Sequence, residues 1–199
     1  MCNKQMSREE RQAAGRNGQN RLEKVLKDLK ERRVIVDYIP TTNMVFVNGK
    51  YEYNFQLDSL VLVPDYGAVL IEGKFYAGHT YCTGDQNVWE QDRGDGKEER
   101  GNASKQVLRA RTLVQCLLER QGMEHWVINP LVVFTNKNGT VFTHREQPPE
   151  TEVIRLGSLE SWIRSLPRDT GCCPFTRKVV SELRLMFADA ETPFNPVKH

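Results

Sequence analysis

Two apolar runs, Leu57 to Val63 and Ala68 to Ile71, flank the turn residues Pro64-Asp65-Tyr66-Gly67 in the stretch LDSLVLVPDYGAVLIEGKFYAG. Short apolar runs bounded by a Pro/Gly turn predict a buried antiparallel hairpin. Asp58 stands at the mouth of the first run, while Glu72 and Lys74 interrupt the end of the second. Three charges therefore gather at one end of a hairpin that otherwise wants hydrocarbon.

Register decides what those charges can do. Residues two apart on a strand share a face, so Glu72 and Lys74 point one way while Ile71, Gly73 and Phe75 point the other. If Pro64 to Tyr66 form a three-residue loop, Val63 faces Gly67, Asp58 faces Glu72 and Gln56 faces Lys74; a four-residue loop puts Asp58 on the wrong face. In the first register two carboxylates repel across the pair unless a cation lies between them. Such a pair with open positions suits Mg²⁺ or Mn²⁺, which keep several waters and take further oxygens from a backbone carbonyl and a phosphate. An ammonium beside it can orient or deprotonate an attacking water, a composition that fits phosphodiester hydrolysis better than glycoside hydrolysis. From spacing alone a second account stays open: a structural Glu-Lys pair at a strand end and an Asp capping a turn.

Elsewhere the patterns are those of an α/β chain. Ser7 to Glu10 forms a capping box, and Leu22, Val25, Leu26 and Leu29 make an amphipathic helix ending near Arg33. Gly15 and Gly18 mean that the helix starts near Gly18 or that close approach of another chain requires the missing side chains. Val34 to Tyr38 and Met44 to Val47 read as strands, and Asn48-Gly49 as a hairpin turn, so that with Leu57 to Val63 and Ala68 to Phe75 they make an antiparallel meander. Residues 83–102 read as an exposed excursion with a hairpin at Gly94-Asp95-Gly96, in which Trp89 clamps its own loop. A second helix over Ala103 to Gln121, capped by Asn102 and ended by Gly122, precedes a central strand, Pro130 to Asn136. Thr140 to His144 and Glu152 to Leu156 read as strands, Ser158 to Leu166 as a short helix and Phe175 to Ala190 as a last helix, with a frayed tail after Thr192.

At 199 residues, 39 % of them hydrophobic, the chain fits one domain of ordinary size. The expected division is a core over residues 1–166 and a C-terminal helical extension over 167–199 that packs on it. The net charge of +2 predicts no polyanion partner by itself, but Met1 to Arg33 holds ten Lys/Arg against five Asp/Glu. Cys2, Cys82, Cys116, Cys172 and Cys173 lack CxxC pairs and show no spacing that brings His79, His125 or His144 into a zinc pattern. With no apolar leader and no stretch long enough to span a bilayer, they are expected to be reduced thiols of a cytoplasmic protein with no membrane partner.

Asp58, thirteen residues, then Glu72-Gly73-Lys74 resembles the PD-(D/E)xK nuclease superfamily, and its nuclease-related domain (NERD) family in particular. The likeness covers about 150 residues: Gly15-x-x-Gly18, the hairpin above, Trp89, the NASKQ run ending at Gln106, PLVVFTN and VIRLGSLESWIRSL. It implies an α/β restriction-endonuclease-like core, in which a mixed sheet with an antiparallel meander is flanked by helices. It also implies Mg²⁺ dependence and action on DNA, and the expected function is a Mg²⁺- (or Mn²⁺-) dependent DNA endonuclease or nickase in defence, repair or mobile-element biology. Carried over residue by residue, Asp58, Glu72 and the Gly73 carbonyl are metal ligands, Lys74 positions the water, and Gln106 is a helix-borne polar contact. Where the family usually has Glu after the second helix glycine this chain has Gln19, and where it often has an acid before the strand aspartate this chain has Gln56. Glu23, one turn beyond Gln19, is a substitute ligand, and a catalytically degenerate fold that binds DNA or protein is the alternative. Arg16, Arg21, Lys24 and Arg109 are expected DNA contacts, and homodimerisation is left open.

Overall fold

The long first helix, α1 (Arg8–Glu31), opens with the capping box expected: Ser7 Oγ accepts from the Glu10 amide at 3.1 Å and Glu10 Oε2 accepts from the Ser7 amide at 2.7 Å. The computed structural model describes residues 7–48, 51–120, 122, 126–168, 175 and 177–188. Gly49, His125, Cys2, Cys172, Cys173 and the tail after Thr192 therefore lie outside the described residues. Helix α1 runs unbroken through both glycines. Gly18 is buried, and a Cβ there would lie 2.8 Å from Thr135 Oγ1 and 2.9 Å from Phe75 Cβ, so the close approach is made by strand ends of the same chain. At Gly15 a Cβ would meet nothing within 4 Å.

The helix stops where Arg33 takes a left-handed conformation (φ 59°) and the Val34 amide turns back to the Leu29 carbonyl at 2.9 Å. That turn places Val34 and Ile35 in the core as plugs below the helix, and the strand expected from Val34 is delayed to β1 (Asp37–Ile39). Next come β2 (Thr42–Asn48) and β3 (Tyr51–Leu57), which among the described residues pair only with each other, antiparallel. Strand β4 (Ser59–Val63) instead pairs with β1 on one side and with β5 (Gly67–Lys74) on the other. The expected continuous strand from Leu57 is thus cut at Asp58, where the chain leaves a two-stranded ribbon and enters the main sheet. The antiparallel meander is β1-β4-β5, with the ribbon set apart from it.

The excursion over residues 83–102 is ordered as a hairpin of β7 (Val88–Asp92) and β8 (Lys97–Gly101). With β6 (Gly78–Cys82) and β10 (Gly139–Thr143) it builds a four-stranded sheet in the order β10-β6-β7-β8. Trp89 is buried, its Nε1 donating to the Thr83 carbonyl at 2.9 Å and its ring stacked on Phe134, so it clamps its loop to the core. Strand β9 (Ile128–Phe134) lies parallel to β5 and to β11 (Glu152–Arg155), completing the main sheet in the order β1-β4-β5-β9-β11.

Alternation along these strands builds two cores, one on each face. Leu60, Leu62, Ala68, Leu70, Val132 and Phe134 pack with α2 (Ala103–Arg120) and with Leu183 and Phe187 of α4 (Arg177–Ala188). Val61, Val69, Ile71, Leu131 and Val133 pack with Leu22, Leu26 and Leu29 of α1 and with Leu159 and Ile163 of α3 (Leu159–Ser165). Asn102 caps α2 through its Oδ1 to the Lys105 amide at 3.2 Å. The result is a mixed α/β architecture in agreement with the restriction-endonuclease-like core expected. No helix of the described residues is long and apolar enough to cross a membrane.

Candidate active site

The three-residue loop sets the register. Val63 pairs with Gly67 and Ser59 with Ile71, so the ladder reaches its last pair one residue before Asp58 and Glu72. Because β4 runs antiparallel to β5, the amino end of β4 and the carboxyl end of β5 meet at the same edge of the sheet. Asp58, released from the ladder, folds its carboxylate onto the β5 backbone, and its Oδ2 accepts from the Gly73 amide at 2.8 Å. Its other oxygen, Oδ1, accepts from Gln56 Nε2 at 2.6 Å. Gln56 pairs with Asn43 in the ribbon and does not face Lys74. Its side-chain amide therefore steadies the aspartate with an N–H.

Glu72 and Lys74 follow Ala68 and Leu70 toward the α2 face. The Lys74 ammonium donates to Glu72 Oε1 at 2.5 Å and to Gln106 Oε1, in the first turns of α2, at 2.7 Å. The two side chains keep only 15 % and 14 % of their exposure. Burial lifts the Glu72 carboxyl above its ordinary range, with the neighbouring Asp58 charge adding to the rise and Lys74 opposing it. For Lys74 burial works against the charge, but Glu72, Tyr76 and Asp58 outweigh it and hold the ammonium protonated. With two of its three donors engaged, Lys74 retains one for a further partner.

A cavity of about 600 Å³ opens here, lined by Arg16 and Gln19 from α1 and by Gln56, Asp58, Glu72 and Lys74 from the strand ends. It collects side chains from both faces because the sheet ends at this point. Phe75, one residue past the end of β5, points away from Lys74 as expected, toward Gly18 and Arg21 of α1, and lines the cavity from that side. Glu23 is exposed and borders a separate small crevice shared with Asp58, Gln19 and Tyr38. Arg21 and Lys24 are on the other flank of α1, where Arg21 donates to the Thr135 carbonyl at 3.0 Å, and Arg109 is exposed on α2. Of the four cations expected to contact DNA, Arg16 alone lines this cavity. Sequence reasoning missed the Gln56-to-Asp58 hydrogen bond; its only signal was the two-residue spacing.

Among the described residues no group of three or more His, Cys, Asp or Glu forms a ready metal cluster. Two carboxylates on one open cavity are nevertheless enough for Mg²⁺ or Mn²⁺, which bind through one or two acids and keep water in the remaining positions. Burial is the main cause of the rise at Glu72, and the Asp58 charge adds a repulsion that a cation between the two would relieve.

The family model described as nuclease-related domain matches residues 14–135, more than half of the chain. The chain belongs to the NERD family. The NERD match runs from α1 to the residue after β9 and so encloses Asp58, Glu72, Gly73, Lys74 and Gln106, while β10, β11, α3 and α4 lie beyond it. Comparison with curated proteins and with solved structures returned no match. Membership supports a nuclease-related function.

Proposed function

We propose that this NERD protein is a divalent-metal-dependent deoxyribonuclease, an endonuclease or nickase that hydrolyses phosphodiester bonds. The observation that carries the reading is the convergence of Asp58, Glu72 and Lys74 on one cavity at the end of β5, inside the matched region. Asp58, Glu72 and the Gly73 carbonyl would hold Mg²⁺ or Mn²⁺. When bound, such an ion supplies Lewis-acid stabilisation of charge on the phosphate and lowers the pKa of a water.

The chain's own residues account for the rest. Lys74, held as an ammonium beside Glu72, acts as a donor that orients the attacking water and offsets negative charge. Gln106 fixes the lysine from α2. Gln56 and the Gly73 amide fix the Asp58 carboxylate. Arg16, at the cavity wall, is the cation placed to meet the substrate's phosphate.

A non-catalytic DNA-binding module is the second reading, favoured by one observation: both carboxylates already have partners, Asp58 in Gln56 and Glu72 in Lys74. Supercoiled plasmid incubated with the purified protein and Mg²⁺ or Mn²⁺ separates the two. The nuclease reading expects nicked or linear product from the wild type and none from Glu72→Gln or Lys74→Ala. Binding with no cleavage, or equal cleavage by all three proteins, would count against it.

A further inference from the structure

On the opposite flank of α1 from the candidate active site lies a second cavity of about 610 Å³. Its charged lining is entirely cationic: Arg21 and Lys24 from α1, Lys137 from the β9-β10 connection and Arg155 from the end of β11, with Asn136 and Ser158 as neutral polar neighbours. None of the four cations has an ion pair among the described residues, whereas Arg32, Lys97, Arg100 and Arg184 are each matched to a carboxylate. The two arginines are held by backbone carbonyls instead, Arg21 by Thr135 and Arg155 by Gly139, which leaves most of their five N–H donors available. Lys24, Lys137 and Arg155 are exposed. Four uncompensated positive charges converging from three segments on one concavity make a focused field for an anion.

Its position relates it to the first cavity. Lys74 pairs with Phe134, and Phe134 pairs with Arg155, so the three residues stand side by side at the carboxyl ends of the parallel strands β5, β9 and β11. Two strand spacings of ~4.8 Å separate Lys74 from Arg155, about 10 Å along the sheet edge. The wall between the cavities is thin: Thr135 lines the second and its amide donates to the Lys74 carbonyl at 2.8 Å, while the Arg21 guanidinium lies 5.9 Å from the Phe75 ring centre. With an axial rise of ~3.4 Å per nucleotide in one strand, that offset corresponds to roughly three nucleotides.

We infer that the Arg21-Lys24-Lys137-Arg155 cavity is a phosphate-binding subsite that holds the sugar-phosphate backbone of a nucleic-acid strand a few nucleotides from the bond addressed at Asp58, Glu72 and Lys74. It reads no bases: guanidinium and ammonium groups on a phosphate position the strand and carry no sequence information. The inference rests on the nucleolytic reading only for what occupies the neighbouring cavity; the subsite itself is a binding claim.

The test is the salt dependence of DNA affinity, measured by fluorescence anisotropy of the full chain with a labelled duplex from 50 to 200 mM KCl, the conditions of a ~10³–10⁵-fold effect for proteins making many phosphate contacts. EDTA is present throughout, so cleavage plays no part. Lys24→Ala/Lys137→Ala removes two contacts and is expected to lower the slope of log K against log salt by about 1.8. Lys24→Arg/Lys137→Arg is expected to restore it, and Arg177→Ala/Lys178→Ala, the same charge change on α4, to leave it at the wild-type value. An unchanged slope in the alanine pair, an equal drop in the α4 pair, or no binding by the wild type would overturn the subsite. If the slope falls as expected but plasmid is never cut, the subsite stands and the hydrolytic reading fails; if plasmid is cut while the slope does not move, the reverse holds.

Discussion

Lys74 and Gln106 are joined by a 2.7 Å hydrogen bond that ties the end of β5 to the first turns of α2 across 32 residues of sequence. The ammonium it holds also neutralises Glu72, so the position of the lysine depends on a side chain that carries no charge. Gln106→Leu removes the acceptor and keeps the bulk. Turnover of a DNA substrate is expected to fall about 10–100-fold, in the range for groups that orient a reactive residue, with DNA affinity in EDTA unchanged. Steady-state cleavage and anisotropy together check it.

The two glycines of α1 predict opposite effects. Gly15→Ala adds a methyl where nothing lies within 4 Å and removes a helix-interior glycine, so stability should rise by about 0.5–1 kcal/mol. Gly18→Ala drives a methyl against Thr135 and Phe75 and should cost about 1–3 kcal/mol. Thr135 Oγ1 donates to the Lys74 carbonyl, so the second change should also disturb the site. Urea unfolding of the two variants compares them directly.

Asp37 gives the fold an acid-sensitive tie. Its buried carboxylate accepts from Lys30 of α1, from Arg184 of α4 at two nitrogens and from the Tyr38 amide. Burial alone would raise its pKa, but those donors outweigh it and hold the group below the ordinary aspartate value. A depressed carboxylate stabilises the folded state above its unfolded pKa of about 3.9, and that contribution is lost as pH falls through the lower folded value. Asp37→Asn should cost about 1.5–3 kcal/mol at pH 7. The gap to wild type should narrow below pH ~4, as read from denaturant midpoints across pH.

Cys82 is fully buried, and desolvation pushes its thiol up to about 12. At pH 8 it should resist alkylation in the native protein and react once denaturant unfolds the chain, whereas the half-buried Cys116 should react at an intermediate rate. Mass spectrometry of the Cys82 peptide after iodoacetamide treatment reads this out.

The approach of Asp58 to β5 could be read from the sequence because a three-residue loop and period-two alternation fix register with no knowledge of the rest of the fold. Gln106 was readable only through resemblance, since nothing in the periodicity of α2 marks that position as facing Lys74. The separation of the β2-β3 ribbon from the main sheet was hidden because an uninterrupted apolar run from Leu57 looks like one strand; the partner change at Asp58 is a tertiary choice. Lys137 and Arg155 escaped notice for a similar reason. Each carries a charge just beyond the end of an apolar run, as Glu72 and Lys74 do, but their convergence needs the parallel pairing of β9 with β11, which local patterns do not specify.

The central claim, that Asp58 and Glu72 jointly hold a divalent cation, is tested most directly by anomalous diffraction from crystals soaked in Mn²⁺. The account predicts one anomalous peak in contact with both carboxylates and the Gly73 carbonyl, lost in Glu72→Gln. Saturating Mn²⁺ with no peak between them, and the Lys74-Glu72 ion pair unchanged, would contradict it.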